Sequence, residues 1–180
     1  MAELDWGSND WIYDYSMEHT IYLKLPSPLV QGKTYTLEIN PNTNSDITSE
    51  TFTYDIFNSQ TEAIHVNLAG YMAMPGIKAA DVYIWLGNGG ARDYSDFEGN
   101  NVYIYDVNNQ ISQQVGTLSF WKSNASEAQG YNYTQSDVWN ADFTGFNTHG
   151  TYRLAIEGVG CSEDFIISNQ VYYNPFMVNT

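Results

Sequence analysis

Alternation of apolar and polar residues at a period of two runs through most of the chain. In "TIYLKLP" Ile21, Leu23 and Leu25 share one face, and in "TYTLEIN" Tyr35, Leu37 and Ile39 do. "TFTYDIF" places Phe52, Tyr54 and Ile56 opposite Thr53 and Asp55. Residues two apart project to the same side of an extended chain, so each segment predicts a half-buried strand. The pattern recurs in "AIHVNL", "ADVYIWLG", "NVYIYDV", "QVGTLSFW", "DVWNADF", "GTYRLAIEG" and "EDFIIS". No segment keeps a helical period over about a dozen residues. Between the strands lie "PSPLVQGK", with two prolines and Gly32, and "NPNTNSD", whose Asx side chains favour local bonds to the backbone. The expectation is an all-β protein of about eleven strands, spaced as in a sandwich.

A seam is expected at "FNSQTE", residues 57–62, a polar stretch between two strand runs. Residues 1–60 then form an N-terminal β-extension or small subdomain. Three or four strands hide one sheet face poorly by themselves, so this part is expected to pack on the sandwich that follows.

Composition narrows the partners. The chain has 180 residues, six Lys+Arg and 21 Asp+Glu, a formal net charge of −15. No basic cluster is present to neutralise phosphates or to dock on anionic lipid, so neither nucleic acid nor a membrane is an expected partner. Hydrophobic residues at 43% and aromatics at 16% are too many for a disordered acidic tail. Solubility rests on neutral polar groups, above all 18 asparagines, as in proteins that process polysaccharide outside the cell. Cys161 is the only cysteine, so neither a disulfide nor a thiolate pair for zinc is expected. No run approaches the ~18 apolar residues of a membrane helix. The start, "MAELDWGSNDW", lacks the basic and apolar regions of a signal peptide, so the signal of a secreted parent is expected to be absent from this chain.

Two stretches, "EAIHVNLAGY" and "DFTGFNTHGTYRLAIEGVGCSEDFIISNQVYY", resemble the N-terminal immunoglobulin-like domain that precedes the catalytic barrel of family 9 glycoside hydrolases, the cellulase type. The matching positions are Ile64, Val66, Asn67, Gly70 and Tyr71, then Lys78 and Ala79, then Asp142 and Phe143. Gly150, Tyr152, Ser162, Phe165 and Ile167 complete the pattern. Leu68 stands where the family has Gln, and Thr144 where it has Ser. The resemblance implies an immunoglobulin-like β-sandwich over residues 61–175 and the start of a connector to a missing catalytic domain at 176–180. It implies no catalytic residue in this chain, because the carboxylates that the family uses for cleavage sit on the barrel.

Site chemistry is expected from aromatics. A sugar ring presents C–H groups that pack on indole and phenol, while Asn and Asp take its hydroxyls. Tyr83 and Trp85 lie opposite Val82, Ile84 and Leu86, and Tyr103 and Tyr105 lie opposite Val102 and Ile104. If the two strands are neighbours, these four form a flat patch, unless the N-terminal extension covers it. Trp121, Tyr131, Tyr133 and Trp139 form a second set near a loop rich in Ser, Asn and Gln, and Trp6 and Trp11 a minor third. Asp93, Asp96 and Glu98 in "ARDYSDFEGNN" are hard ligands of the kind Ca²⁺ takes, without the spacing of an EF-hand loop, so a structural calcium is a candidate and no other cofactor is required. His19, His65 and His149 have no ligand partner at metal spacing. Asn124-Ala125-Ser126 and Asn132-Tyr133-Thr134 match the glycosylation sequon, a short pattern common by chance in so Asn-rich a chain.

The reading is a non-catalytic accessory module of a secreted bacterial cellulase-type enzyme, partnered by its own catalytic domain. The alternative is an autonomous carbohydrate-binding module for β-glucan, cellulose or xylan. A plain cell-surface structural domain is a third.

Overall fold

The computed structural model describes residues 2–5, 16–43, 45–74, 76–125 and 135–178. Among the described residues the chain is all-β apart from short 3-10 turns and one six-residue helix. The strands are β1 (Ala2–Asp5), β2 (Ser16–His19), β3 (Thr34–Glu38), β4 (Ser49–Thr53), β5 (Ile64–His65), β6 (Ala79–Val82) and β7 (Asn101–Asp106). They continue as β8 (Ile111–Thr117), β9 (Ser119–Lys122), β10 (Val138–Asp142), β11 (Gly150–Ile156), β12 (Gly160–Cys161) and β13 (Phe165–Ile167), followed by α1 (Tyr173–Val178).

Two antiparallel sheets face each other. One runs β5-β6-β10-β9 and the other β12-β11-β7-β8, with β13 on the same edge of β11 as β12. Their inward residues are the ones that alternation selects. Ala80, Val82, Trp139 and Ala141 come from the first sheet, and Val102, Ile104, Leu154, Ile156 and Phe165 from the second. Each such large side chain contributes on the order of 2 kcal/mol by leaving water, which fixes the register of its strand. The chain from Gln60 to Tyr71 passes between the sheets: Gln60 bridges Cys161, Ile64 pairs Val82, and Tyr71 bridges Ile167.

The N-terminal part lies outside this sandwich. β3 and β4 form a hairpin of their own, and β1 and β2 another. Residues 54–57 lie against the outer side of the second sheet, where Tyr54 and Ile56 are buried with Ala155 and Cys161. Arg153 fastens this junction. Its guanidinium donates to Phe57 O at 3.1 Å and Asn58 Oδ1 at 3.0 Å, and pairs with Asp164 at 2.5 Å. The expected strand at "TIYLKLP" is not one: residues 20–25 take no strand pairing and are exposed. Their alternation is real, but a strand needs a neighbour to bond, and among the described residues none lies beside it.

Candidate functional site

The opening motif folds into a clasp on the C-terminal segment. Asn67 N–H donates to the Tyr71 hydroxyl at 2.9 Å, and that hydroxyl donates to Ala79 O at 2.8 Å. Gly70 has φ +98°, and a Cβ there would stand 2.4 Å from both Ile166 O and a Val171 methyl, so only glycine fits. Asn67 Nδ2 donates to the Tyr172 hydroxyl at 3.1 Å, which donates in turn to Gly70 O at 3.1 Å. Tyr172, which the sequence reading passed over, thus ties the segment entering α1 to the start of the sandwich. A tyrosine following a buried valine, as in "QVYY", was the available signal.

Around the clasp several apolar side chains are exposed. Leu68, where a polar Gln is usual in the family pattern, is 72% exposed, and Ile166 is 50% exposed. Met74, Tyr172 and Tyr173 are exposed as well. Ile166 O accepts from Tyr71 N at 2.8 Å, and Met74 N donates to Asn169 Oδ1 at 3.3 Å, so these residues belong to one end of the sandwich. Leu68 lies in the turn after β5 and Ile166 on the exposed face of β13.

The remaining motif positions serve the fold. Lys78 is buried, its ammonium donating to Asn147 Oδ1 at 2.8 Å and Ala73 O at 3.3 Å. Burial pushes its pKa down, with Asp142 pulling the other way. Thr144 keeps the hydroxyl that the departure from Ser preserves, and its Oγ1 accepts from Lys78 N at 3.1 Å. Ser162 Oγ is buried, accepting from Leu154 N at 3.0 Å and donating to Glu163 O at 2.7 Å.

The aromatic candidates separate. Tyr83 and Trp85 follow β6, whereas Tyr103 and Tyr105 sit on β7 in the other sheet, so the four do not make one patch. Strand neighbours are a nonlocal property, which alternation along one segment cannot supply. Tyr105 stacks on Phe57 at 4.9 Å and Tyr103 meets it edge-on at 6.0 Å, so the N-terminal segment covers this face. The Tyr103 hydroxyl donates to Glu157 Oε1 at 3.1 Å. Tyr83 is half-buried under the His65 ring at 4.1 Å. Trp139 is a core residue, 2% exposed and edge-on to Phe120 and Tyr94, which removes it from any solvent-facing set. Its register partner Val82 faces the same core. Trp121, in the β-bulge where β9 pairs β10, is 59% exposed, and Trp85 is 40% exposed. Tyr131, Tyr133, Trp6 and Trp11 lie outside the described residues.

Among the described residues no three His, Cys, Asp or Glu side chains converge. Asp93 is committed locally, accepting from Ser95 N at 2.9 Å and Ser95 Oγ at 3.0 Å, and the backbone bond leads in holding its pKa down. Asp96 and Glu98 are exposed on the turn that follows. His65 lines a shallow depression of about 400 Å³ along β5, together with Glu62, Leu68 and Glu163. Among the described residues no helix is long and apolar enough to cross a membrane.

No family model matches the chain, and no curated protein does. Among solved structures, part of the chain is similar to a small part of family 9 glycoside hydrolases. A metagenome-derived family 9 endoglucanase is 23% identical with a TM-score of 0.46, over 62% of this chain and 18% of that one. A Bacteroides ovatus GH9 protein is 22% identical with a TM-score of 0.42, over 62% of this chain and 16% of its own. AaCel9A, solved in complex with cellobiose-like isofagomine, is 17% identical with a TM-score of 0.36, over 63% and 16%. The chain spans less than a fifth of the length of each of these three, by the shares of 18%, 16% and 16%.

Proposed function

We propose that this chain is a non-catalytic, immunoglobulin-like accessory module of a secreted, cellulase-type family 9 glycoside hydrolase. Its role is to pack on the catalytic barrel and support it during plant polysaccharide breakdown. The observation that carries the reading is the clasp of Asn67, Gly70 and Tyr172. The residues of the sequence motif orient the C-terminal segment and stand beside exposed Leu68 and Ile166, a surface suited to an apolar partner. The barrel is the occupant because those same motif positions carry the family resemblance. Two observations test this together. The coding sequence after Thr180 should continue in frame into a barrel, and the isolated chain should leave soluble β-glucan uncut. A stop codon at that point, or cleavage by the isolated chain, sinks the reading.

A second reading, a carbohydrate-binding module, is favoured by the exposed indoles of Trp85 and Trp121. It requires heat or retention when the chain meets β-glucan, cellulose or xylan, and loss of either in Trp121→Ala or Trp85→Ala. No retention on any of the three eliminates it.

A further inference from the structure

The strand register orders the outer face of the β5-β6-β10-β9 sheet into two rows. His65 pairs Asp81, Asp81 pairs Asn140 and Asn140 pairs Ser119, so these four stand side by side across the strands. Ile64, Val82 and Trp139, next to them in sequence, point into the core, which puts this polar row on the outside. Two residues further along β6 and β9, which run in the same direction, stand Tyr83 and Trp121. They form an aromatic row about 7 Å from the polar one, and Trp85 follows Tyr83 on the same side. Phe57 covers the outer face of the other sheet at Tyr103 and Tyr105, whereas here Trp85 is 40% exposed and Trp121 59%.

The polar row is not spent on the protein. Asp81, Asn140 and Tyr83 are half-buried, yet among the described residues neither the Asp81 carboxylate, the Asn140 side-chain amide nor the Tyr83 hydroxyl has a hydrogen-bond partner. Polar groups that have lost water without gaining a partner favour a ligand that brings hydroxyls. The His65 ring, with Nε2 3.0 Å from Tyr83 O, stacks on one face of Tyr83 at 4.1 Å, so Trp85 and Trp121 supply the open ring faces. Indole packs on a flat C–H surface. A pyranose with equatorial substituents carries both features, C–H groups on its face and hydroxyls along its edge. Charge narrows the class further: the chain carries −15, and the two rows hold the Asp81 carboxylate with no Lys or Arg, so an anionic glycan is repelled and a neutral one is not. We propose that this face binds a neutral β-linked glucan lying across β6, β10 and β9, its ring faces on Trp85 and Trp121 and its edge hydroxyls on Asp81, Asn140 and Tyr83. The strands β6 and β9 stand about 10 Å apart, wider than one ring, so the ligand is an oligomer. This inference rests on the carbohydrate-binding reading above, and gives it a place and a ligand class.

Calorimetric titration of the full chain with a β-1,4-linked gluco-oligosaccharide, and with polygalacturonate as the anionic counterpart, tests the proposal alongside residue-resolved amide shifts. The gluco-oligosaccharide should bind and polygalacturonate should not, and the amides of Asp81, Tyr83, Trp121 and Asn140 should move while those of β7 stay still. Asn140→Ala and Trp121→Ala should each weaken binding at least about tenfold, and Ile111→Ala, at an exposed position of the other sheet, should leave it unchanged. Circular dichroism checks the fold of each variant, and the shifts of the parent chain decide the site even where a variant does not fold. Absence of both heat and shifts with the gluco-oligosaccharide overturns this inference and the carbohydrate-binding reading together. Binding that shifts other residues, or that folded Asn140→Ala and Trp121→Ala chains retain, overturns the placement on this face alone. Equal binding of polygalacturonate overturns the ligand class.

Discussion

The side-chain amide of Asn67 donates to the Tyr172 hydroxyl at 3.1 Å, joining residues 105 apart in sequence. That bond, with the one from Tyr172 to Gly70 O, makes the entry strand of the sandwich and its exit segment one unit. Tyr172→Phe removes both and should cost about 1 to 2 kcal/mol. The melting temperature should drop by roughly 2–4 °C per kcal/mol in a chain of this size. Tyr173→Phe, on an exposed ring, should leave the melt unchanged. Equal melting of the two variants would show that the clasp contributes nothing.

Two glycines separate conformational strain from steric conflict. Gly32 has φ +73° with open space where a Cβ would go, so Gly32→Ala should cost about 1 kcal/mol from backbone conformation alone. Gly70→Ala adds a clash with Ile166 O and Val171, and should cost on the order of 3 kcal/mol or more. Denaturant titration of the two variants measures the difference. Similar midpoints would mean that the loop at Gly70 yields freely.

Stability should fall in alkali. Burial pushes the Cys161 thiol up to about 11 and the Tyr94 hydroxyl up to about 12, from ordinary values of 9.0 and 10.0. Both groups stay neutral in the fold after the unfolded chain begins to lose their protons. Their contribution is whole below pH 9.0, and it is lost as pH climbs through 11 for Cys161 and 12 for Tyr94. A melting curve against pH, repeated with Tyr94→Phe, checks this. The variant should keep a shallower alkaline slope, and an identical slope would exclude Tyr94 as a contributor.

The sequence made the sheets legible and the surfaces less so. Alternation placed Val102 and Ile104 inward and Tyr103 and Tyr105 outward correctly, because burial of one strand face is a local pattern. What lay over Tyr105 depended on Phe57, and what lay beside Tyr83 depended on His65, both contacts between segments distant in sequence. Trp139 and Trp121 look alike in the sequence, yet one is core and the other exposed: Phe120 pairs Trp139 and meets its ring, and Trp121 beside it turns the other way. Residues 20–25 show the reverse failure, an alternating run with no neighbouring strand. The motif residues Asn67, Gly70 and Tyr71 were found from resemblance, but their partner Tyr172 emerged only from the fold.

Arg153 holds the N-terminal segment, so Arg153→Ala should loosen it selectively. The lost bonds to Phe57 O and Asn58 Oδ1 involve a charged donor and should cost about 2 kcal/mol locally. Limited proteolysis should then cut first near residues 53–60, while the sandwich after residue 62 survives. Cleavage at the parent's rate would show that the burial of Tyr54 and Ile56 suffices without the guanidinium.

The accessory role is tested most directly by the melting temperature of the catalytic barrel in the continuous polypeptide, compared between the parent and a Leu68→Glu, Ile166→Glu variant. Both side chains are exposed in this chain, so the variant module should fold, and its own melt in isolation provides the control. The barrel transition should drop by several degrees while the isolated module melts as before, since about 1 to 3 kcal/mol of apolar contact is exchanged for buried carboxylates. A barrel transition that does not move, with the variant module folded, would contradict it.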